Sequence, residues 1–299
     1  MTLRRLIVLG LAATLGGAAD AVAQDPDGRD DKDKPAATAP ADSATSAPAT
    51  EQEDDPDLDP NPAQPDFTVV ALPTTLRLPR HKSAFRVTHR FGRPLGSGDF
   101  GDLAGDFFGF DSGAQIGLEY RFGIMAGTQI GIHRTSNRTI EFFAQQHLIE
   151  QGNSPVGVDI IGSAEGLDNF TESYSPAIGA VISRTLGRRG ALYAHPIWVN
   201  NTNDEPSELS DDDNSTFIVG LGGRLRIRPT VYLVGEIIPR FGYTPDAVYG
   251  SFGIEKRAGG HSFQLNFSNG LGTTLAQLAR GGQPSNDWFI GFNISRKFF

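Results

Sequence analysis

The alternation of apolar and polar residues at period two constrains this chain more than any other feature. In the stretch 111–122, DSGAQIGLEYRF, one set is Ala114, Ile116, Leu118, Tyr120 and Phe122. The other is Gly113, Gln115, Gly117, Glu119 and Arg121. In HSFQLNFSN, from His261, Phe263, Leu265 and Phe267 alternate with Gln264, Asn266 and Ser268. In DWFIGFNISRKFF, from Asp287, Trp288, Ile290, Phe292 and Ile294 alternate with small or polar partners. Successive side chains of a strand point to opposite faces, so each stretch predicts a strand with one apolar and one polar face. Helical periodicity is scarce. The pattern places strands near 83–92, 111–123, 127–136, 138–148, 156–164, 175–186, 190–200, 215–227, 230–240, 247–257, 261–270 and 287–299, about twelve in all. FFAQQHLIE, from Phe142, also fits a short helix.

The connections alternate in length along most of the chain. Short turns fall at 123–128, 187–190, 228–230 and 257–260, and longer polar loops at 92–110, 165–174, 201–214, 241–246 and 271–286. The junctions near 138 and 149 follow this alternation less cleanly. Tight turns at one rim and long loops at the other are the organisation of a transmembrane β-barrel. A soluble secreted β-sandwich binding module also gives many short alternating strands. In a sandwich the polar set would meet bulk water and take Lys freely. Here Lys is rare, and 36 of 299 residues are Gly. Aromatic residues gather at strand ends: Phe91, Tyr120, Phe122, Tyr174, Trp198, Phe241, Tyr243, Trp288, Phe298 and Phe299. Amphipathic rings at both interfaces are expected of a membrane barrel. The fold class is therefore all-β, a transmembrane antiparallel barrel of about twelve strands over residues 67–299, preceded by a disordered segment. In lipid every backbone polar group needs a partner, so the first and last strands must meet. The last strand, ending on Phe299, closes the cylinder and anchors it at the interface.

The N-terminus points to an envelope. Arg4 and Arg5, the apolar run Leu6–Leu15 and the Ala21-Val22-Ala23 cleavage pattern make residues 1–23 a secretory signal peptide. Residues 24–66 are rich in Ala, Pro, Asp and Ser and hold 13 acids against 3 bases. This segment carries the whole net charge of −9 and cannot bury enough apolar surface to fold alone. No Cys is present, which excludes disulfides, thiolate metal sites and a cysteine nucleophile.

THRFGRPLGSGDFGDLAGDFFGFDSGAQIGLEYRFGI, residues 88–124, resembles a family of uncharacterised bacterial outer-membrane β-barrels, a domain of unknown function found mainly in Bacteroidetes and relatives. The likeness rests on His89-Arg90-Phe91-Gly92, the Gly/Asp/Phe-rich loop, Gly117-Leu118-Glu119-Tyr120 and the terminal ISRKFF. It implies a fold and a membrane, and no activity or catalytic residue.

In a barrel the polar set faces the lumen. The expected lumen-lining charges are Arg86, Arg90, Glu119, Arg121, Glu141, Arg224, Arg226, Glu236, Arg240 and Glu255, with His133 and Lys297 beside them. Ionised groups in a narrow cylinder are costly unless paired, so cross-strand Arg–Glu pairs are expected. About twelve strands give a bore between a filled eight-stranded core and an open sixteen-stranded porin. Such a lumen is either filled by its own ion pairs or a narrow, weakly selective pore.

Asp99, Asp102, Asp106 and Asp111 lie among glycines, and carboxylates on a loop can bind Ca²⁺. Their spacing is not that of a known calcium loop, and Gly and Asp also serve as turn formers. The acidic run 204–213 reads as a solvated loop. None of His81, His89, His133, His147, His195 and His261 sits in a nucleophile or metalloprotease motif. The Pro of His195-Pro196 suggests a strand irregularity. No cofactor, metal or nucleic acid is expected. The expected role is a narrow passive pore or a structural envelope protein without catalysis, and a surface-exposed outer-membrane hydrolase is the alternative. Expected partners are outer-membrane lipid, small solutes and the barrel-assembly machinery, which would read the strand ending at Phe299. Both ends of the mature chain would lie in the periplasm.

Overall fold

The computed structural model describes residues 62–203, 214–243, 247–284 and 287–299. The expected signal peptide, the acidic segment as far as residue 61 and the acidic run 204–213 lie outside the described residues. Twelve strands follow in chain order: β1 (Ser83–Phe91), β2 (Ala114–Met125), β3 (Thr128–Thr135), β4 (Ile140–Ile149), β5 (Gly157–Leu167), β6 (Glu172–Thr185), β7 (Gly190–Asn200), β8 (Ser215–Arg228), β9 (Val231–Ile238, resumed at Arg240–Gly242), β10 (Tyr249–Ala258), β11 (His261–Ser268) and β12 (Phe289–Phe298). Each pairs antiparallel with the next, and β12 returns to β1 with Ser83 opposite Phe298 and Arg90 opposite Gly291. The segment that also fits a helix, from Phe142, is strand β4. Pro239 has no N–H to give the ladder. Its carbonyl still accepts from Val219 N at 2.9 Å, and pairing to β8 resumes at Arg240.

The barrel is inside out relative to a soluble protein. Leu118 is 47% exposed while its neighbour Glu119 is 3% exposed. On β12 the outward row ends at Phe298, which places Lys297 inward. Phe299 follows Lys297's side and packs against Phe67, Leu78 and Ala84. Phe298 is therefore the last outward aromatic of the final strand, and Phe299 lies on the inner side.

Connection length proves an imperfect guide to the rim. The tight turn at 136–139 lies on the same rim as the long loops, and the seven-residue link 150–156 lies on the short-turn rim. The long-loop rim carries two short helices, α1 (Phe100–Gly105) after β1 and α2 (Leu275–Arg280) after β11. Among the described residues no helix is long and apolar enough to cross a membrane. The His195-Pro196 irregularity is present. Pairing of β6 with β7 stops at Gly179–Ile197 and resumes at Ile182–Ala194.

The lumen is filled by chain, and only in part by ion pairs. Before β1 the backbone enters from the short-turn rim and turns back on itself. Val69 N donates to Leu72 O and Thr74 N to Phe67 O, both at 2.8 Å, which makes a hairpin with its tip at 69–72. Val69, Val70 and Leu72 are fully buried. From the opposite rim α2 turns inward and buries Leu275, Ala276, Leu278 and Ala279.

At Gly179 an added Cβ would lie 2.6 Å from Ile197 Cα and closer still to the Pro196 carbonyl oxygen. Both are backbone atoms and cannot swing away. Gly179→Ala is expected to destabilise the barrel by about 1–3 kcal/mol. A lowered urea midpoint for loss of the compact, heat-modifiable gel band checks this.

Candidate functional site: the lumen and its two inserts

An inserted hairpin brings backbone groups that its own two strands do not pair, and a buried unpaired group costs about 1–3 kcal/mol. The barrel wall supplies the partners. The Glu236 carboxylate, on β9, accepts from Val70 N (3.1 Å), Ala71 N (3.0 Å) and Leu72 N (3.1 Å). Ser251 Oγ steadies it from β10 at 3.0 Å. Carbonyls of the hairpin take donors from around the cylinder. Gln264 Nε2 reaches Val69 O at 2.7 Å, Asn293 Nδ2 reaches Val70 O at 2.8 Å, and Arg224 Nη2 reaches Thr68 O at 2.8 Å. On the other side Gln145 Nε2 donates to Thr74 O at 2.8 Å and His195 Nε2 to Pro73 O at 2.6 Å. His195 is thus a plug contact on an irregular strand.

Two ion-pair groups complete the polar half of the wall. Arg86 Nε donates to Glu119 Oε2 at 3.0 Å, while Arg86 Nη1 reaches Thr68 Oγ1 of the hairpin at 2.9 Å. Arg121 bonds the other Glu119 oxygen and lies 4.6 Å from the centre of the Phe143 ring. Arg224 and Glu255 pair at 2.8 Å, fully buried. Of the other charges expected in the lumen, Arg90 is buried and donates to Asn293 Oδ1 at 2.9 Å, and Arg226 is only half-buried near the short-turn rim.

Several of the charged groups of the wall also serve the inserts. Glu236 holds the hairpin tip. Glu141 accepts from Leu275 N at 3.1 Å, at the start of α2. Arg240 donates to Ala279 O at 3.1 Å, at the end of α2. Glu165 accepts from Thr274 Oγ1 and, at 2.8 Å, from Arg280 Nη1.

The strands from β5 to β9 also carry an apolar cluster on their inner face, among charged and polar residues such as Glu165, His195, Arg224 and Glu236. Ile161, Val181, Ile197, Ile218 and Ile238 meet Leu72 of the hairpin and Leu278 of α2 in one buried cluster. The lumen is thus not lined by polar residues alone. Two sequence signals point to this. Residues 67–72, FTVVAL, form an apolar run without alternation. Residues 177–182, AIGAVI, are apolar on both faces of β6, as a strand buried on both sides must be.

The inserts leave little space between them. A cavity of about 20 Å³ lies between Ala71, Leu275 and the Arg86–Glu119–Arg121 group, room for about one water. Wider polar vestibules open at the two rims. One of about 430 Å³ is lined by Gln115, Asn137, Thr139, Gln277 and Gln283 at the long-loop rim. The other, about 210 Å³, is lined by Gln64, Thr75, Arg77, His147 and Glu150 at the short-turn rim. In the latter, His147 Nδ1 lies 2.7 Å from Asp159 Oδ1, but the hydroxyl nearby, Ser183 Oγ, contacts Thr75 Oγ1 at 2.5 Å. The Asp99 and Asp102 carboxylates cap α1 reciprocally at 3.0 Å, and Asp106 pairs with Arg93 at 2.6 Å. Among the described residues no three acidic or His side chains gather to hold a metal ion.

Comparison with known proteins gives a family. A family model described as "Membrane bound beta barrel domain (DUF5777)" matches residues 66–298. No curated protein matches the chain. Among solved structures, the NanC porin aligns at 6% identity over 73% of this chain and 99% of that one, TM-score 0.49. An outer membrane channel from Pseudomonas putida F1 aligns at 11% identity over 75% and 98%, TM-score 0.42. A variant of the Rh. blastica porin aligns at 9% identity over 62% of this chain, TM-score 0.34, and the chain spans 55% of that porin's length.

Glu236→Ala removes the acceptor from the three tip N–H groups. The hairpin is expected to open roughly 5- to 150-fold more often, from about 1–3 kcal/mol lost, with the barrel intact. Since the chain has no Cys, the maleimide labelling rate of an Ala71→Cys background, with and without Glu236→Ala, measures this directly.

Proposed function

We propose, from the premise that this chain belongs to the DUF5777 family of membrane-bound β-barrel domains, that it is a passive channel held shut by its own two inserts. It sits in the outer membrane of a Gram-negative-type bacterium, with the short-turn rim and both mature chain ends in the periplasm. Small hydrophilic solutes are its cargo, and it performs no catalysis. The observation that carries this is the pair of polar vestibules, at opposite rims, separated by inserts with a void of about 20 Å³ between them. The inserts are bound to the wall by side-chain hydrogen bonds and apolar contact. Neither is a strand of the barrel, so withdrawal of either leaves the ladder closed. The hairpin enters and leaves through the same rim and can be withdrawn without threading. With the hairpin out, the passage is lined by acids and bases that nearly balance, and discrimination by charge is weak.

A static structural barrel is the second reading. It is favoured by the many bonds between hairpin and wall, which suit a permanent core as well as a gate.

Conductance across a planar bilayer separates the two. The mature chain is expected to be closed most of the time. Deleting residues 62–77 is expected to give steady conductance steps with a reversal potential near zero across a salt gradient. Replacing residues 271–284 as well, by a short Gly-Ser link, is expected to enlarge the steps. Silence from the doubly altered barrel, with folding shown by heat-modifiable mobility, overturns the channel and leaves the structural role.

A further inference from the structure

The loop from 92 to 113 presents aromatic rings outward that no part of the described chain covers. Phe100 is 75% exposed and Phe107 63% exposed, with Phe108 and Phe110 also exposed. Exposed apolar surface of this extent marks an interaction site. The loop is built to hold the rings there. Arg93 N donates to Ser112 Oγ at 3.1 Å, Arg93 pairs with Asp106, and Asp99 and Asp102 cap α1. Phe107 and Phe108 have φ of 49° and 57°, a left-handed conformation disfavoured for bulky residues. Strain retained at two successive aromatics, in a loop pinned on both sides, argues that their direction matters.

Two of the rings, Phe110 and Phe107, join the lipid-facing wall, and Phe100 and Phe108 face each other beside them. Phe91 and Phe292 both lie on the outer face of the barrel, and their centroids are 6.2 Å apart. Phe110 packs edge-on against Phe91 at 4.6 Å, and Phe107 lies 5.6 Å from Phe110. Phe91 is a lipid-facing position covered by the loop's own ring, so the exposed rings extend the surface that meets the bilayer. We infer that the loop 92–113 is a membrane foot: its phenylalanines insert among the acyl chains of the leaflet around the long-loop rim. The four Asp residues are occupied with capping, pairing and turns, and keep the polar side of the foot in water. Such a foot fixes the depth and tilt of the barrel. It rests on the membrane-bound fold alone, and stands whether or not the lumen opens.

The absence of Cys makes site-directed spin labelling clean. The mature full-length chain carrying Phe100→Cys, Phe107→Cys, Asp102→Cys or the lipid-facing reference Leu265→Cys is labelled and refolded into vesicles of phosphatidylcholine and phosphatidylglycerol. Collision rates with oxygen, which concentrates in lipid, and with a nickel chelate, which stays in water, are compared. The oxygen-to-chelate ratio at 100 and 107 is expected to match that at 265 and to exceed that at 102 several-fold. A ratio at 100 and 107 equal to that at 102 overturns the inference. Protection from both reagents, with spin–spin broadening that grows with protein density, also overturns it and assigns the rings to a second copy. Heat-modifiable mobility confirms that each labelled barrel is folded, and Phe100 is exposed enough that a label there leaves the wall untouched.

Discussion

The constraint on which everything else depends is that backbone N–H and C=O groups find no water in a bilayer. Each must be paired within the protein, and an open sheet leaves two edges unpaired. Closure of β1 on β12, from Ser83–Phe298 to Arg90–Gly291, meets that demand. The inversion of the two faces follows from it. Leu118, Tyr120, Phe263 and Leu265 turn to lipid, and Arg86, Glu119, Gln264 and Asn293 turn inward.

The same rule, applied inside the cylinder, explains why the interior is polar. A polar lumen is ordinarily taken as a lining for water. Here much of it is a set of partners for inserted backbone. Glu236 stands in for three missing strand acceptors, and Gln264, Asn293, Gln145, Arg224 and His195 for missing donors. The apolar cluster on β5 to β9 is the complement: it buries Leu72 and Leu278. Hairpin, α2 and wall therefore form one core in which polar and apolar contacts share the same strands. This arrangement holds the inserts firmly without tying them into the ladder.

Much of the barrel was legible because strand burial has a short period. Positions within β2, β11 and β12 sort into inward and outward sets by parity alone, and Lys297 beside Phe298 reads correctly once that parity is applied. The Arg86–Glu119 pair follows from adjacent strands. Legibility failed where partners are remote in sequence. Glu236 lies more than 160 residues from the amides it holds, and nothing local to either marks the match. The hairpin was missed because FTVVAL neither alternates nor follows a helical period. Its burial comes from being surrounded.

Local sequence by itself determined the strands, their faces, the approximate strand number and the need for closure. These depend on the two-residue repeat of the extended chain and on the cost of unpaired backbone in lipid, and both can be read from neighbouring residues. The tertiary structure alone decided what fills the cylinder. Whether a lumenal carboxylate meets an arginine, a solute or an inserted amide depends on which distant segment reaches it. That choice is made by packing and hydrogen bonding across the closed barrel, where sequence distance has no meaning.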